Sequence, residues 1–192
     1  MEAGEGRPGT DGPGAEDRPG AEGRPGGAGP GGEGRGGRRD PGAGIRVRPA
    51  RRGEIPAVLE LWRQAEAVPS VSDDPAGLAG LLETSGDALL VAEAEGRLVG
   101  TIIAGWDGWR GNLYRLAVLP TARRRGIALL LVAEAERRLT GKGARRLSAL
   151  VMSEHDPAVA LWLAAGYHHD HRVGRYVRTL PQPPALRPGG AR

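Results

Sequence analysis

The sequence predicts an α/β (α+β) domain, a single mixed and mostly antiparallel central sheet flanked by about four helices. Three observations carry this. Short stretches of alternating or continuous apolar residues recur at 45–48, 88–94, 98–104, 112–118 and 147–152. Between them lie segments with apolar residues three and four apart, which is the helical period. Two consecutive strand pairs are joined by short glycine-containing loops, which makes those neighbours antiparallel.

Ile45-Arg46-Val47-Arg48 alternates at period two and reads as the first strand. From Arg52 onward Ile55, Val58, Leu59 and Trp62 fall on one helix face. Pro69 to Asp74 is a loop, and Asp74-Pro75 supplies an N-cap followed by proline at the first helical position. Leu78, Leu81 and Leu82 continue that helix until Gly86. Ala88–Ala94 and Leu98–Ala104 are strands joined by Glu95-Gly96, and the Trp106–Gly111 loop leads into a strand over Asn112–Val118. A helix over Gly126–Leu139 follows, with Ala128, Leu131, Ala135 and Leu139 on one face and Gly141 and Gly143 ending it. Leu147–Met152 reads as a strand. Asp156-Pro157 repeats the cap-and-proline start for a helix through Ala158, Leu161, Trp162 and Ala165 that stops at Gly166. Tyr167–Leu180 reads as one or two further strands.

Composition divides the chain. Residues 1–44 contain 17 glycines and 6 prolines, and no Val, Ile, Leu, Phe, Trp or Tyr precedes Ile45. Such a segment cannot bury enough apolar surface to offset the entropy of ordering it, so 1–44 reads as a disordered tail, and Met1 is open to reading as an upstream start. Residues 45–180 suit one domain, and 181–192 read as a second disordered tail. Outside the first tail there are 21 basic against 15 acidic residues, a net +6 that suits an anionic ligand. The chain has no cysteine, which excludes disulfides, thiolate metal sites and a cysteine nucleophile. Neither a membrane-length apolar run nor the apolar segment of a signal peptide is present, so the expected location is the cytoplasm. With no Phe and only three Tyr to stack beside the arginines, nucleic acid is not an expected partner.

The stretch richest in chemistry is Asn112–Leu139. An apolar strand runs through Leu119-Pro120 into Arg123-Arg124-Arg125-Gly126-Ile127-Ala128 and then a long helix. A basic, glycine-containing turn that opens a helix holds phosphate, because free backbone N–H groups converge there and the helix dipole favours an anion. By contrast Gly141-Lys142-Gly143 lacks the flanking residues of a P-loop. His168-His169-Asp170-His171 lacks an independently placed further ligand, so no metal is expected.

Arg123-x-x-Gly126-x-Ala128 on this turn, together with the element order, resembles the GNAT superfamily of acyl-CoA-dependent N-acetyltransferases, whose pattern there is Gln/Arg-x-x-Gly-x-Gly/Ala. A second family pattern, Asn-x-x-Ala-x-x-x-Tyr-x-x-x-Gly-Phe, is met in spacing by His155, Ala158, Trp162, Gly166 and Tyr167. The Gly105-Trp106-Asp107-Gly108 loop is similar to that of a bacterial subgroup. The resemblance spans roughly residues 45–180 and implies acetyl-CoA as donor. It implies that Arg123, Arg124, Arg125, Gly126, Ile127, Ala128 and Leu129 cradle the pyrophosphate. It further implies that Leu116, Ala117 and Val118 pair with the pantetheine arm, that the Leu116 N–H polarises the thioester carbonyl, and that His155 and Trp162 border the donor.

The reaction so implied is direct attack by a neutral amine in a ternary complex. At pH 7 deprotonating a lysine-like amine costs roughly 4–5 kcal/mol, and an α-amino group only about 1 kcal/mol. Where some family members carry a catalytic glutamate this chain has Asn112, which is no base. The family's proton-donating tyrosine is Trp162, whose indole is no practical acid. Asp107, Tyr114, Glu154 and His155 are the remaining candidates for proton transfer, histidine being the residue type that titrates near neutrality. The alternative is a GNAT-fold protein that binds acyl-CoA without catalysis. The acceptor is expected to be a small-molecule or peptide amine, bordered by Ser70–Asp74 and Trp106–Gly111, with Asp73 or Asp107 placed to attract its charge. Trp106 and Trp109 flank a hairpin loop and suit an acceptor or homodimer contact.

Overall fold

The computed structural model describes residues 44–181. The expected tails at 1–44 and 181–192 lie outside this range except for Gly44 and Pro181. Five strands form one sheet in sequential order: β1 (Ile45–Pro49), β2 (Leu89–Ala94), β3 (Arg97–Trp106), β4 (Gly111–Val118) and β5 (Leu147–Ala149). The helices are α1 (Ile55–Gln64), α2 (Pro75–Thr84), α3 (Ile127–Gly141) and α4 (Asp156–Ala164). The first three strand pairings are antiparallel, whereas β4 and β5 run parallel because α3 crosses over between them.

Alternation along the strands divides the core between two faces. Leu90, Ala92 and Ala94 of β2 pack with Ile127, Leu131, Ala135 and Leu139 of α3 and with Trp162 of α4. Leu89 and Val91 pack on the other face with Val58, Leu61 and Trp62 of α1 and Leu78 of α2. Gly100 lets α3 lie close to the sheet: a Cβ there would be 3.0 Å from Leu131 Cδ1 and 3.2 Å from the Ala117 carbonyl oxygen. The edge strand β1 is tied down by Arg48. Its guanidinium donates to Glu54 Oε1 and to Glu93 Oε2, both at 2.7 Å, joining β1 to β2 and to the turn before α1.

Three expectations need correction. Tyr167–Leu180 forms no strand. Asp170 instead closes a turn by accepting the Arg172 N–H and pairing with the Arg172 and Arg146 guanidinium groups, and Val173, Tyr176, Val177 and Leu180 are exposed. These side chains meet no apolar face, and without burial nothing offsets the cost of ordering a strand. The fifth strand stops at Ala149 and does not reach Met152, because the chain turns there and the His155 N–H reaches the Met152 carbonyl at 3.1 Å. Asp156 does not cap α4. That role falls to His155, whose Nδ1 accepts the Ala158 N–H at 3.1 Å, whereas Asp74 caps α2 as expected, through Gly77 N–H at 2.6 Å.

Candidate active site

The site grows from a defect in β4. The register pairs Thr101 with Ala117 and Ile103 with Tyr114, so Ile102 alone faces both Arg115 and Leu116. Two residues against one is a β-bulge. Arg115 adopts φ +51, the left-handed region that a long side chain rarely occupies. The bulge resets the alternation. Leu113, Leu116 and Val118 all pack toward the α3 face, although Leu113 and Leu116 are three apart, and Ala117 turns to the α1 face. On the opposite edge β5 pairs with Gly111, Asn112 and Leu113, and beyond Leu113 no strand among the described residues continues that pairing. The edge of β4 from Tyr114 to Val118 therefore opens onto a gap where β5 has parted from it.

The strand then runs into the basic turn. Arg124 has φ +62 and Gly126 φ +76, and Gly126 occupies the position before the first residue of α3. Intrahelical bonding begins with the Leu130 N–H on the Gly126 carbonyl at 3.0 Å, which leaves Ile127, Ala128 and Leu129 as the orphan donors of the first turn. The guanidinium groups of Arg124 and Arg125 have no acceptor among the described residues and are exposed. Arg123 is different. Its Nε donates to the Val118 carbonyl at 3.2 Å and its Nη2 to the Ala65 carbonyl at 3.1 Å. This side chain fastens the end of β4 to the C-terminus of α1, and its backbone N–H is already bonded to the Pro120 carbonyl at 3.3 Å. Left-handed backbone, free donors and unpaired cations fit a pyrophosphate; a Cβ at Gly126 would strain the turn.

The other candidates scatter. Asp107 Oδ1 accepts the N–H groups of Arg110 at 2.6 Å and Trp109 at 2.8 Å; these bonds hold its carboxyl below the usual carboxylate range. Tyr114, one residue before the bulge, lies over Gly105. Burial and the nearby Asp107 charge push its phenol up, with Arg175 acting in the opposite sense. Glu154 is exposed in the turn before α4, and the Nδ1 of His155 is committed to the cap. Trp162 is buried in the core, edge-on to Tyr167 at 4.9 Å. Tyr167 donates to Glu136 Oε1 at 2.9 Å, and burial pushes its phenol up. Trp109 is exposed, with the Arg110 guanidinium 3.9 Å over its ring, whereas Trp106 packs partly against the core. The rings of His169 and His171 lie 4.1 Å apart, with Asp170 engaged by arginines.

Sequence reasoning missed one set of residues. Trp62 Nε1–H donates to Thr101 Oγ1 at 2.8 Å, and that hydroxyl donates to the Arg115 carbonyl at 3.1 Å. The Arg115 guanidinium donates to the Val68 carbonyl at 2.7 Å, pairs with Asp73 and lies 5.4 Å from the centre of the Trp62 ring. Asp73 is therefore satisfied by Arg115 and by the Ser70 N–H, at 2.8 Å, and is not free for a cationic acceptor. The signal available in the sequence was a lone threonine inside the apolar run Leu98–Ala104. Its partners are 39 and 14 residues away, beyond any local pattern.

A sheet of this topology with these flanking helices is the fold of solved acetyltransferases. The acetyltransferase (GNAT) family model matches residues 55–167. An acetyltransferase of Pectobacterium atrosepticum is 30% identical over 118 residues, 62% of this chain and 84% of that one. One of Photorhabdus laumondii is 31% identical over 128 residues, 67% and 90% of the two chains. The structure of AAC(6')-Iy in complex with the bisubstrate analogue CoA-S-monomethyl-acetylneamine superposes with a TM-score of 0.56 at 25% identity, covering 71% of this chain and 99% of that one. The chain belongs to the GNAT family of N-acetyltransferases. Among the described residues no helix is long and apolar enough to cross a membrane.

Proposed function

We propose that the protein moves an acetyl group from acetyl-CoA to a primary amine by direct attack within a ternary complex. The observation that carries this reading is the two-against-one bulge at Arg115–Leu116, which faces the gap between β4 and β5. There the Leu116 N–H would donate to the thioester oxygen as it gains negative charge, and Ala117 and Val118 would pair with the pantetheine amides. The pyrophosphate would rest on the amides from Arg124 to Leu129, with Arg124 and Arg125 supplying charge and Arg123 holding the turn in place.

The amine nitrogen forms a bond to the carbonyl carbon and, positively charged in the tetrahedral intermediate, loses a proton; the carbon–sulfur bond breaks, the thiolate takes up a proton, and an amide is left. Neither Asp107, held low by backbone donors, nor Tyr114, held high by burial, changes charge near neutral pH. Water would therefore take the proton, and the acceptor would be a low-pKa amine. The acceptor is a small-molecule or peptide amine, a reading supported by the acetylneamine analogue bound to AAC(6')-Iy.

Calorimetric titration of acetyl-CoA into the wild type and Gly126→Glu tests the donor site. The expected result is micromolar affinity in the wild type and a loss of about 10²-fold or more in the variant, because a carboxylate and a strained backbone enter the anion cradle. Equal affinity in both proteins, or none in the wild type, would overturn the reading.

A further inference from the structure

Thr101 is the one fully buried polar side chain among the described residues, and a valine of the same shape would suit its apolar surroundings. Its hydroxyl is bonded in both senses, accepting from Trp62 and donating to the Arg115 carbonyl. That carbonyl belongs to the bulge, where the extra residue breaks the regular ladder to β3. The threonine hydroxyl thus satisfies a backbone acceptor that the bulge displaces. The far end of Arg115 is held as firmly. Its guanidinium bonds the Val68 carbonyl and Asp73 in the α1–α2 loop and lies over the ring of the same Trp62. Both the guanidinium of Arg115 and the carboxylate of Asp73 are largely buried, at 18% and 16% side-chain exposure, so this is not a loose surface pair. The left-handed backbone of Arg115 persists because each end of the residue is over-determined.

We propose that Trp62, Thr101, Arg115 and Asp73 form a clamp that sets the direction of the Leu116 N–H. They are positioning residues, with no contact to the reacting atoms. The inference rests on the proposed role of that N–H in polarising the thioester carbonyl. The clamp fastens the bulge to α1 and the α1–α2 loop, and not to α3. None of the clamp's own hydrogen bonds reaches the phosphate turn, which Arg123 holds separately through the Val118 and Ala65 carbonyls. Loosening the clamp misdirects one N–H and leaves the nucleotide's anchorage intact.

The test uses the full chain, acetyl-CoA labelled with carbon-13 at the acetyl carbonyl, and two variants. Thr101→Val removes both hydroxyl bonds at constant shape. Asp73→Asn weakens the hold on the Arg115 guanidinium from a more accessible position. Infrared difference spectra of the bound donor and calorimetric affinity are measured side by side. In the wild type the carbonyl stretch is expected at lower frequency than in water. In Thr101→Val most of that shift is lost and acetyl transfer falls about tenfold or more, while acetyl-CoA affinity changes by less than about threefold. Asp73→Asn loses a smaller part of the shift, which keeps the test decisive should Thr101→Val fail to fold. A full shift retained in the folded variants overturns the clamp and leaves the proposed function standing. A bound donor with no shift in the wild type overturns the role of Leu116 and the clamp together. Absence of donor binding in the wild type overturns the proposed function itself.

Discussion

At the scale of single residues, the site depends on backbone angles more than on reactive side chains. Arg115 and Gly126 both sit at positive φ, one within the bulge of β4 and the other before the first residue of α3. Gly126 does this without strain, and Arg115 needs four partners to hold it. The side chains best suited by type to proton transfer are otherwise engaged. Asp107 closes the β3–β4 loop and His155 caps α4. Two backbone N–H donors lower the Asp107 carboxyl, so it is charged throughout the working range. Burial raises the Tyr114 phenol, so it stays protonated there. Asp107→Asn and Tyr114→Phe should therefore leave the shape of the kcat profile unchanged between pH 5 and 9, measured at saturating acetyl-CoA by thiol release. An ionisation that disappears in either variant would make that residue a general acid or base.

At the scale of elements, the end of each helix was easier to read than the partners of each strand. Asp74-Pro75 marks the start of α2 through a bond three residues long. The same logic failed by one residue at α4, where a histidine nitrogen does the work of a carboxylate. Strand β1 illustrates the opposite case. Its stability rests on Arg48, whose partners Glu54 and Glu93 lie 6 and 45 residues away. The Arg48 guanidinium, joined by the Arg51 N–H, lowers the Glu54 carboxyl to about 2 against its burial. A depressed carboxylate stabilises the fold above its unfolded pKa and loses that contribution as pH falls through the folded value. Arg48→Met should therefore destabilise the protein by about 2 kcal/mol at pH 7, allowing for partial solvent exposure of the pair. The gap between variant and wild type should shrink as pH falls from 5 to 2. Denaturant titrations at several pH values check this, and a gap independent of pH would assign the effect to packing of the Arg48 stem.

At the scale of the whole molecule, two apolar clusters sandwich one sheet, and β5 parts from β4 beyond Leu113. The described core draws on residues from Ile45 to Tyr167, and the apolar residues needed for a core are missing before Ile45. A chain beginning at Gly44 is expected to melt within about 2 °C of the full chain and to bind acetyl-CoA equally well. Differential scanning calorimetry decides this, and a larger fall in Tm would mean that the glycine-rich segment contributes to the fold.

The sequence by itself determined the strand and helix order, the turn at Gly126 and the family that both resemble. These signals are local: apolar period, caps and breakers act through bonds within a few residues of each other. Tyr167–Leu180 marks the limit of such signals, since a segment of this kind becomes a strand only if a face and an edge exist to receive it. The tertiary structure alone decided the bulge, the parting of β5 from β4 beyond Leu113, and the joining of Trp62, Thr101, Arg115 and Asp73. Those contacts span 14 to 47 residues of chain. An extra residue in a strand has no signature until the opposing strand is in register, and a buried hydroxyl has no role until folding brings its donor and its acceptor together.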